Sequence, residues 1–183
     1  MFGIIFMAAH RDAFWGIVAI FCAEYLPYLL VIAFLVLAYY EEGWRRKVYL
    51  FCEGALAIVI ARGLVTELFH FFYHEPRPFL YYGIAPLFNE TSWSFPSGHA
   101  AWFFALATTV WYTNRKWGWW FFAFALVIGW ARVYAGVHWP SDIVGGAVIG
   151  ILAAIGVHRA FADSRKGLSS RVPALKETTH GAS

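Results

Sequence analysis

Residues Phe95 to Ala107 read FPSGHAAWFFALA, a Pro-Ser-Gly-His run that passes straight into an apolar stretch. The apolar part continues to Thr113. It is either the core helix of a soluble domain or a membrane span with polar chemistry at its mouth, and composition decides between them. The 183 residues are 61% hydrophobic, 21% aromatic and 14% charged. A soluble domain carries about 25% charged and about 45–50% apolar residues. Several further apolar runs approach the ~20 residues that an α-helix needs to cross the hydrocarbon of a bilayer. The chain therefore reads as an integral membrane protein, all-α, a polytopic transmembrane helix bundle.

Working outward from that stretch, the pattern predicts five spanning helices, at Phe14–Tyr40, Lys47–Tyr73, Ser97–Thr113, Trp117–Val137 and Pro140–Phe161. One transmembrane domain covers residues 1–161, and residues 162–183 form a polar tail rich in Ser, Thr, Lys and Arg, expected to be mobile. No basic segment precedes the apolar part of MFGIIFMAAHRD, so the N-terminus is expected to be a short interfacial segment rather than a signal peptide.

Lysine and arginine set the orientation. Arg45, Arg46 and Lys47 lie between helices one and two, Arg115 and Lys116 between three and four, and Arg159, Arg165, Lys166, Arg171 and Lys176 at or after helix five. Five alternating helices put all of these on one side, the cytoplasm, with the C-terminus. The loop His74–Pro96 and the turn His138–Trp139 then face outward across a plasma (inner) membrane. Trp15, Trp93 and Trp139 mark the outer interface, and Trp44, Trp111, Trp117, Trp119 and Trp120 the inner one. No basic block resembles a nucleic-acid patch. Cys22 and Cys52 lie within apolar runs at different depths, which argues against a disulfide and for two small buried hydrophobes.

Three polar islands interrupt the apolar pattern: His74–Phe79 (HEPRPF), Phe95–His99 (FPSGH) and Ala131–Asp142 (ARVYAGVHWPSD). The topology brings all three to the outer face. Such a set suits a phosphate ester. Arginine presents permanently charged forks to phosphate oxygens. Histidine can attack phosphorus or pass a proton, and a carboxylate can fix its tautomer. His99 falls in the first turn of a helix, where unpaired N–H groups favour anions.

At these residues the chain resembles the type 2 phosphatidic acid phosphatase superfamily of lipid phosphatases, whose pattern is Lys-x6-Arg-Pro, then Pro-Ser-Gly-His, then Ser-Arg-x5-His-x3-Asp. Arg77-Pro78, Pro96-Ser97-Gly98-His99, and Arg132, His138 and Asp142 match it in order and spacing, over roughly residues 60–155. Two positions depart: His70 stands at the lysine and Ala131 at the serine. The resemblance implies that His138 is the nucleophile, forming a phosphohistidine, that Asp142 holds its other ring nitrogen, and that His99 protonates the leaving group and later activates water. Arg77, Arg132, Ser97 and Gly98, with His70 in the lysine's place, would bind the phosphoryl oxygens. It implies no metal and no cofactor. A histidine has an unperturbed pKa of about 6.5, so a site that relies on protonated His70 is expected to be more pH-sensitive than one with lysine.

Structural competitors stand beside each assignment. Pro96-Ser97 and Trp139–Asp142 both read as helix starts, and Asp142 can cap a helix and face His138 together. A lone histidine such as His70 is also an ordinary interfacial residue. Glu67, one turn before it, could orient its ring. His74 and Glu75 are candidates for the headgroup rim, and His10, His158 and His180 are expected to face solvent. Glu24 and Arg62 fall at matching depth on neighbouring helices and are expected to pair, because an unpaired charge there is costly. Pro27 is expected to kink the first helix at the same level.

The compact bacterial members that the chain resembles include undecaprenyl-diphosphate phosphatases, which makes undecaprenyl diphosphate the leading substrate. Phosphatidylglycerophosphate, phosphatidic acid and lipid A phosphate are the alternatives. A lipid phosphotransferase would use the same residues, and a non-catalytic lipid-binding protein or transporter would keep only the pocket. The expected partners are a lipid phosphate and the surrounding membrane lipids.

Overall fold

The computed structural model describes residues 13–83, 85–88 and 90–180, with side chains described from 14 to 162. The segments α1 (Ala13–Ile20), a π-helical turn (Phe21–Tyr25) and α2 (Leu26–Tyr40) form one long rod. A second rod follows, with α3 (Trp44–Ile58), a longer π-helical segment (Val59–Thr66) and α4 (Glu67–Phe72). The short α5 (Pro78–Tyr82) lies across the loop region before α6 (Gly98–Thr113), α7 (Arg115–Tyr134) and α8 (Pro140–His180).

The local chemistry accounts for the breaks. Pro27 has no N–H to give and its ring crowds the carbonyl four residues earlier, and the π turn sits directly before it. The kink expected at Pro27 is thus taken up as a widened turn. In the second rod, the Thr66 hydroxyl donates to the Ala61 carbonyl at 2.9 Å, serving a backbone acceptor inside the π segment. Asn114 ends α6 in an extended conformation and caps α7, its Oδ1 accepting from Trp117 N–H at 3.2 Å. The polar stretch from residue 162, expected as a mobile tail, has a backbone that continues α8 to His180.

The two rods and residues Pro140–Ala162 are long and apolar enough to cross a membrane by length and composition. Their outer faces carry Phe14, Ile17, Phe21, Leu29, Ile32, Val59, Leu64, Val144 and Leu152, all exposed. Water does not tolerate so continuous an apolar surface, and hydrocarbon does. This is a membrane protein. Cys22 is half-buried and Cys52 exposed, both as free thiols, so neither is the buried hydrophobe expected.

α6 is the axis of the bundle, buried from Gly98 to Val110 except at His99 and Trp102. Leu106, Phe103, Phe104 and Val110 pack against Leu30, Phe34, Phe121 and Ile128. The other side of α6 meets α8 backbone to backbone. A Cβ on Gly146 would lie 2.4 Å from Ser97 O, and one on Gly150 would lie 2.3 Å from Ala101 O. Small residues spaced by four let membrane helices approach this closely.

At the other end of the bundle, His158 lies sixteen residues past Asp142, about 24 Å along α8 by helical rise. It does not face solvent as expected. Its Nδ1 meets Glu53 Oε1 at 2.5 Å and its ring stacks on Tyr112 at 3.8 Å. His10 lies outside the described residues, as does the side chain of His180.

Close packing of α8 on α6 predicts a contrast along one helix. Gly150→Ala must push the Ala101 carbonyl away and should destabilise the detergent-solubilised protein by about 1–3 kcal/mol. Gly156→Ala, with no atom within 4 Å of its new methyl, should be neutral. Thermal unfolding of the two variants checks this, and equal melting temperatures would contradict the packing.

Candidate active site

Three irregular segments close over the ends of α6 and α8. Gly136, at φ 77, reverses the chain after α7, and its carbonyl accepts from Phe79 N–H at 3.1 Å. This turn delivers Val137 and His138 to the mouth of the bundle. Ser97 N–H donates to the Asp142 carbonyl at 3.0 Å, tying the first turn of α6 to that of α8. Ser94 N–H donates to Glu75 O, and Trp139 Nε1–H to Pro76 O. The three polar islands of the sequence thus form one connected patch.

His138 is 3% exposed. Its Nδ1–H points at the Ser94 carbonyl, 3.0 Å away, and at Asp142 Oδ2, 3.2 Å away. A carbonyl only accepts, so the proton is on Nδ1 and the lone pair of Nε2 faces inward, 3.4 Å from Arg77 Nη1. Asp142 is fully buried and accepts from Ser94 Oγ at 2.5 Å and from Trp139 N–H at 2.8 Å. It is helix cap and histidine partner at once. Burial pushes the His138 pKa down from 6.5 to about 4, with Asp142 opposing and Arg132 and Arg77 adding to the fall. The ring is therefore neutral at pH 7, with a free lone pair.

Arg77 is 2% exposed and holds the loops together. Its Nε donates to Ser92 O at 2.7 Å, Nη1 to Val137 O at 2.7 Å, and Nη2 to Ser92 Oγ at 2.9 Å. Burial pulls its pKa below the ordinary arginine value, with Glu90 and Asp142 pulling the other way. Arg132 is 1% exposed. It pairs with Glu90 through Nη2, lies against the Phe88 ring at 5.3 Å, and has an Nε–H with no hydrogen-bond partner among the described residues. Glu90 also approaches Arg77 Nη2, at 3.6 Å. One carboxylate thus bridges both arginines, the geometry a phosphoryl group would adopt.

Ser97 caps α6, its Oγ accepting from Ala100 N–H at 3.4 Å. Gly98 opens the helix, and His99 follows, half-buried, in a cavity of about 200 Å³ shared with Ala23, Glu24, Pro27, Tyr28, Val31, Trp102 and Phe103. His70 is 8% exposed and donates from Nε2 to Pro96 O at 3.1 Å, so it braces the loop that carries Ser97. His74 packs on Trp93, ring centroids 4.6 Å apart. Glu75 is half-buried, and burial, then nearby Asp142, raise its pKa.

The expected Glu24–Arg62 pair does not form. Arg62 pairs instead with Glu67, five residues on. That spacing suits the π segment, whose wider turn brings i and i+5 together where an α-helix brings i+3 and i+4. Glu67 is therefore engaged by Arg62 rather than aimed at the His70 ring. Ser92, Ser94 and Glu90 also belong to the site and were not predicted. They sit in a loop with no periodicity, and only the concentration of polar residues in Asn89–Ser94 (NETSWS) hinted at them. Among the described residues no group of three or more His, Cys, Asp or Glu side chains gathers as a metal site.

The chain belongs to the PAP2 superfamily, whose family profile matches residues 51–166. It is 28% identical to undecaprenyl-diphosphatase BcrC of Bacillus subtilis (strain 168) over 155 residues, covering 83% of this chain and 78% of the relative. It is 27% identical to phosphatidylglycerophosphatase B of the same organism, covering 78% and 70%. The crystal structure of LpxE from Aquifex aeolicus superposes with a TM-score of 0.68 at 27% identity, over 85% of this chain and 93% of that one. The protein is thus a membrane enzyme of the lipid phosphatase class.

Two predictions follow from the geometry. Because the neutral His138 ring carries the lone pair and its pKa is about 4, the acid limb of kcat/KM should lie near that value. Activity should hold at pH 5.5 and fall as the pH drops through 4; a limb at 6.5 would contradict the buried, neutral ring. Glu90→Gln should strengthen inhibition by inorganic phosphate or vanadate roughly fivefold, about 1 kcal/mol, because it removes the anion that shares the arginines. Weaker inhibition would mean that Glu90 instead positions them.

Proposed function

We propose that the protein hydrolyses a lipid diphosphate, undecaprenyl diphosphate foremost, through a phosphohistidine on His138. One observation carries this reading. The His138 Nε2 lone pair faces Arg77 while Nδ1–H is held by Ser94 O and Asp142, beside a buried Arg132 with an unpartnered Nε–H.

In this reading Arg77, Arg132, Ser97 and the Gly98 N–H bind the terminal phosphoryl oxygens. Nε2 attacks phosphorus in line, and the P–O bond to the bridging oxygen breaks. Asp142 stabilises the charge that grows on the ring. His99 protonates the departing oxygen where the leaving group needs it, then takes a proton from the water that cleaves the P–N bond and releases inorganic phosphate. The guanidinium groups supply the positive charge that the transition state requires, so no metal step is assigned. His70 acts by bracing Pro96 O rather than by touching phosphate.

Five spans are proposed, α6 and α7 joining the two rods and α8. The basic residues between α2 and α3, between α6 and α7, and along α8 then lie on the cytoplasmic side of the plasma membrane, with the C-terminus. The site opens outward, where a spent carrier lipid presents its diphosphate. Similarity to a named undecaprenyl-diphosphatase supports that lipid, and similarity to a phosphatidylglycerophosphatase keeps phosphatidylglycerophosphate as the alternative.

Phosphate release by the purified protein in detergent with EDTA tests the reading, with undecaprenyl diphosphate and phosphatidylglycerophosphate supplied separately. Release from the diphosphate is expected, with His138→Ala and His99→Ala each reducing kcat at least roughly 10³-fold. Release only from phosphatidylglycerophosphate would replace the substrate. An active His138→Ala enzyme would remove the phosphohistidine.

A further inference from the structure

The site already described uses Arg77 and Arg132 but leaves another arginine at its edge. Arg62 comes from the π-helical segment of the second rod, and its guanidinium lies against the backbone of Gly98. A Cβ on Gly98 would sit 2.3 Å from Arg62 Nε, 2.6 Å from Cδ and 2.9 Å from Cζ. Glycine at the first position of α6 is thus what lets this side chain reach the mouth of the helix. The Arg62 side chain is 35% exposed, and its partner Glu67 is 54% exposed, so the pair is accessible and exchangeable.

The placement has a direction. Arg77 meets His138 in the loops before α6 and after α7, and Arg132 lies in the last turn of α7. Arg62 reaches Gly98, the residue before His99, from the second rod, a segment long and apolar enough to span and so to lie beside a lipid chain. A diphosphate seated with its terminal phosphorus at His138 Nε2, its bridging oxygen at His99 and its second phosphate at Arg62, beside Gly98, would engage all three side chains. A monophosphate seated in the same way presents only an alcohol oxygen there.

We propose that Arg62 is the specificity-determining residue for diphosphates, its guanidinium exchanging Glu67 for the lipid-proximal phosphate of the substrate. This rests on the lipid phosphatase reading above. The step balances. Nε2 of His138 forms a bond to the terminal phosphorus, and the electron pair of the breaking P–O bond stays on the bridging oxygen. That oxygen departs as part of the lipid monophosphate, whose negative charge Arg62 holds. Water then attacks the phosphohistidine, gives its proton to His99 and releases inorganic phosphate. With a monoester the same electron pair would fall on an alkoxide, which Arg62 reaches poorly and His99 must protonate.

The test compares farnesyl diphosphate with farnesyl monophosphate, two substrates with one chain, by phosphate release from wild type, Arg62→Met, Arg62→Lys and Glu67→Gln. Arg62→Met should lose roughly 30-fold in kcat/KM on the diphosphate, the effect of one charge-assisted contact, and less than about threefold on the monophosphate. Arg62→Lys should keep most of the diphosphate activity. Glu67→Gln, which leaves Arg62 unpaired, should lower KM for the diphosphate alone. Each comparison is a ratio within one preparation, so a loss of folded protein cancels. Equal losses on both substrates, or no loss on either, would overturn the role of Arg62, as would a Glu67→Gln effect shared by both. Wild-type protein releasing phosphate from neither would overturn the phosphatase reading itself, and Arg62 with it.

Discussion

Everything at the site depends on α6 and α8 touching backbone to backbone. Gly146 and Gly150 leave no side chain between the helices, so Ser97 N–H can reach the Asp142 carbonyl. That single bond places the start of one helix against the start of the other. Ser97 is thereby held against Asp142, whose carboxylate meets His138. Catalytic groups act only when held near their working geometry, and for the groups proposed here the holding is done by close packing between helices in a medium that offers no hydrophobic drive to bring them together.

Charge is handled by pairing rather than by exposure. Arg77 and Arg132 are buried almost completely, which is tolerable only because carbonyls, a serine and Glu90 surround them. Arg62 is met by Glu67. Each cation that faces the site thus carries an internal anion at moderate or high exposure, which a phosphate can replace without leaving a bare charge behind. Burial keeps His138 neutral, with the same buried cations adding to the effect, while Asp142 and the Ser94 carbonyl hold its proton on the far nitrogen. In the proposed mechanism nucleophile and cradle are therefore mutually dependent: the arginines that would grip the phosphate also help to keep the attacking lone pair free.

The sequence carried much of the site because its residues are recognisable by type and spacing. His138 and Asp142 are four apart across a helix start, so their contact is nearly local. Arg77-Pro78 and Pro96–His99 announce themselves as polar islands between apolar runs. Glu90, Ser92 and Ser94 did not, since a loop has no period from which a facing residue can be deduced. The pairing of Glu24 with Arg62 failed for a different reason. A π turn adds a residue to the helix and rotates everything beyond it by about 100°, so an argument from depth and face breaks at each of the two π segments. His158 looked like a terminal, solvated histidine because neither Glu53 nor Tyr112 is near it in the chain.

What the sequence determined by itself was the class of molecule and the chemical vocabulary of its site. Apolar length, charge placement and residue type act locally, so a membrane helix and a candidate phosphate-binding arginine are visible one residue at a time. The tertiary structure decided which cation met which anion, which histidine nitrogen carried the proton, and how Arg62 came to lie on Gly98. Those outcomes depend on contacts between residues far apart in the chain, set by helix phase and by backbones that approach within a methyl group of collision.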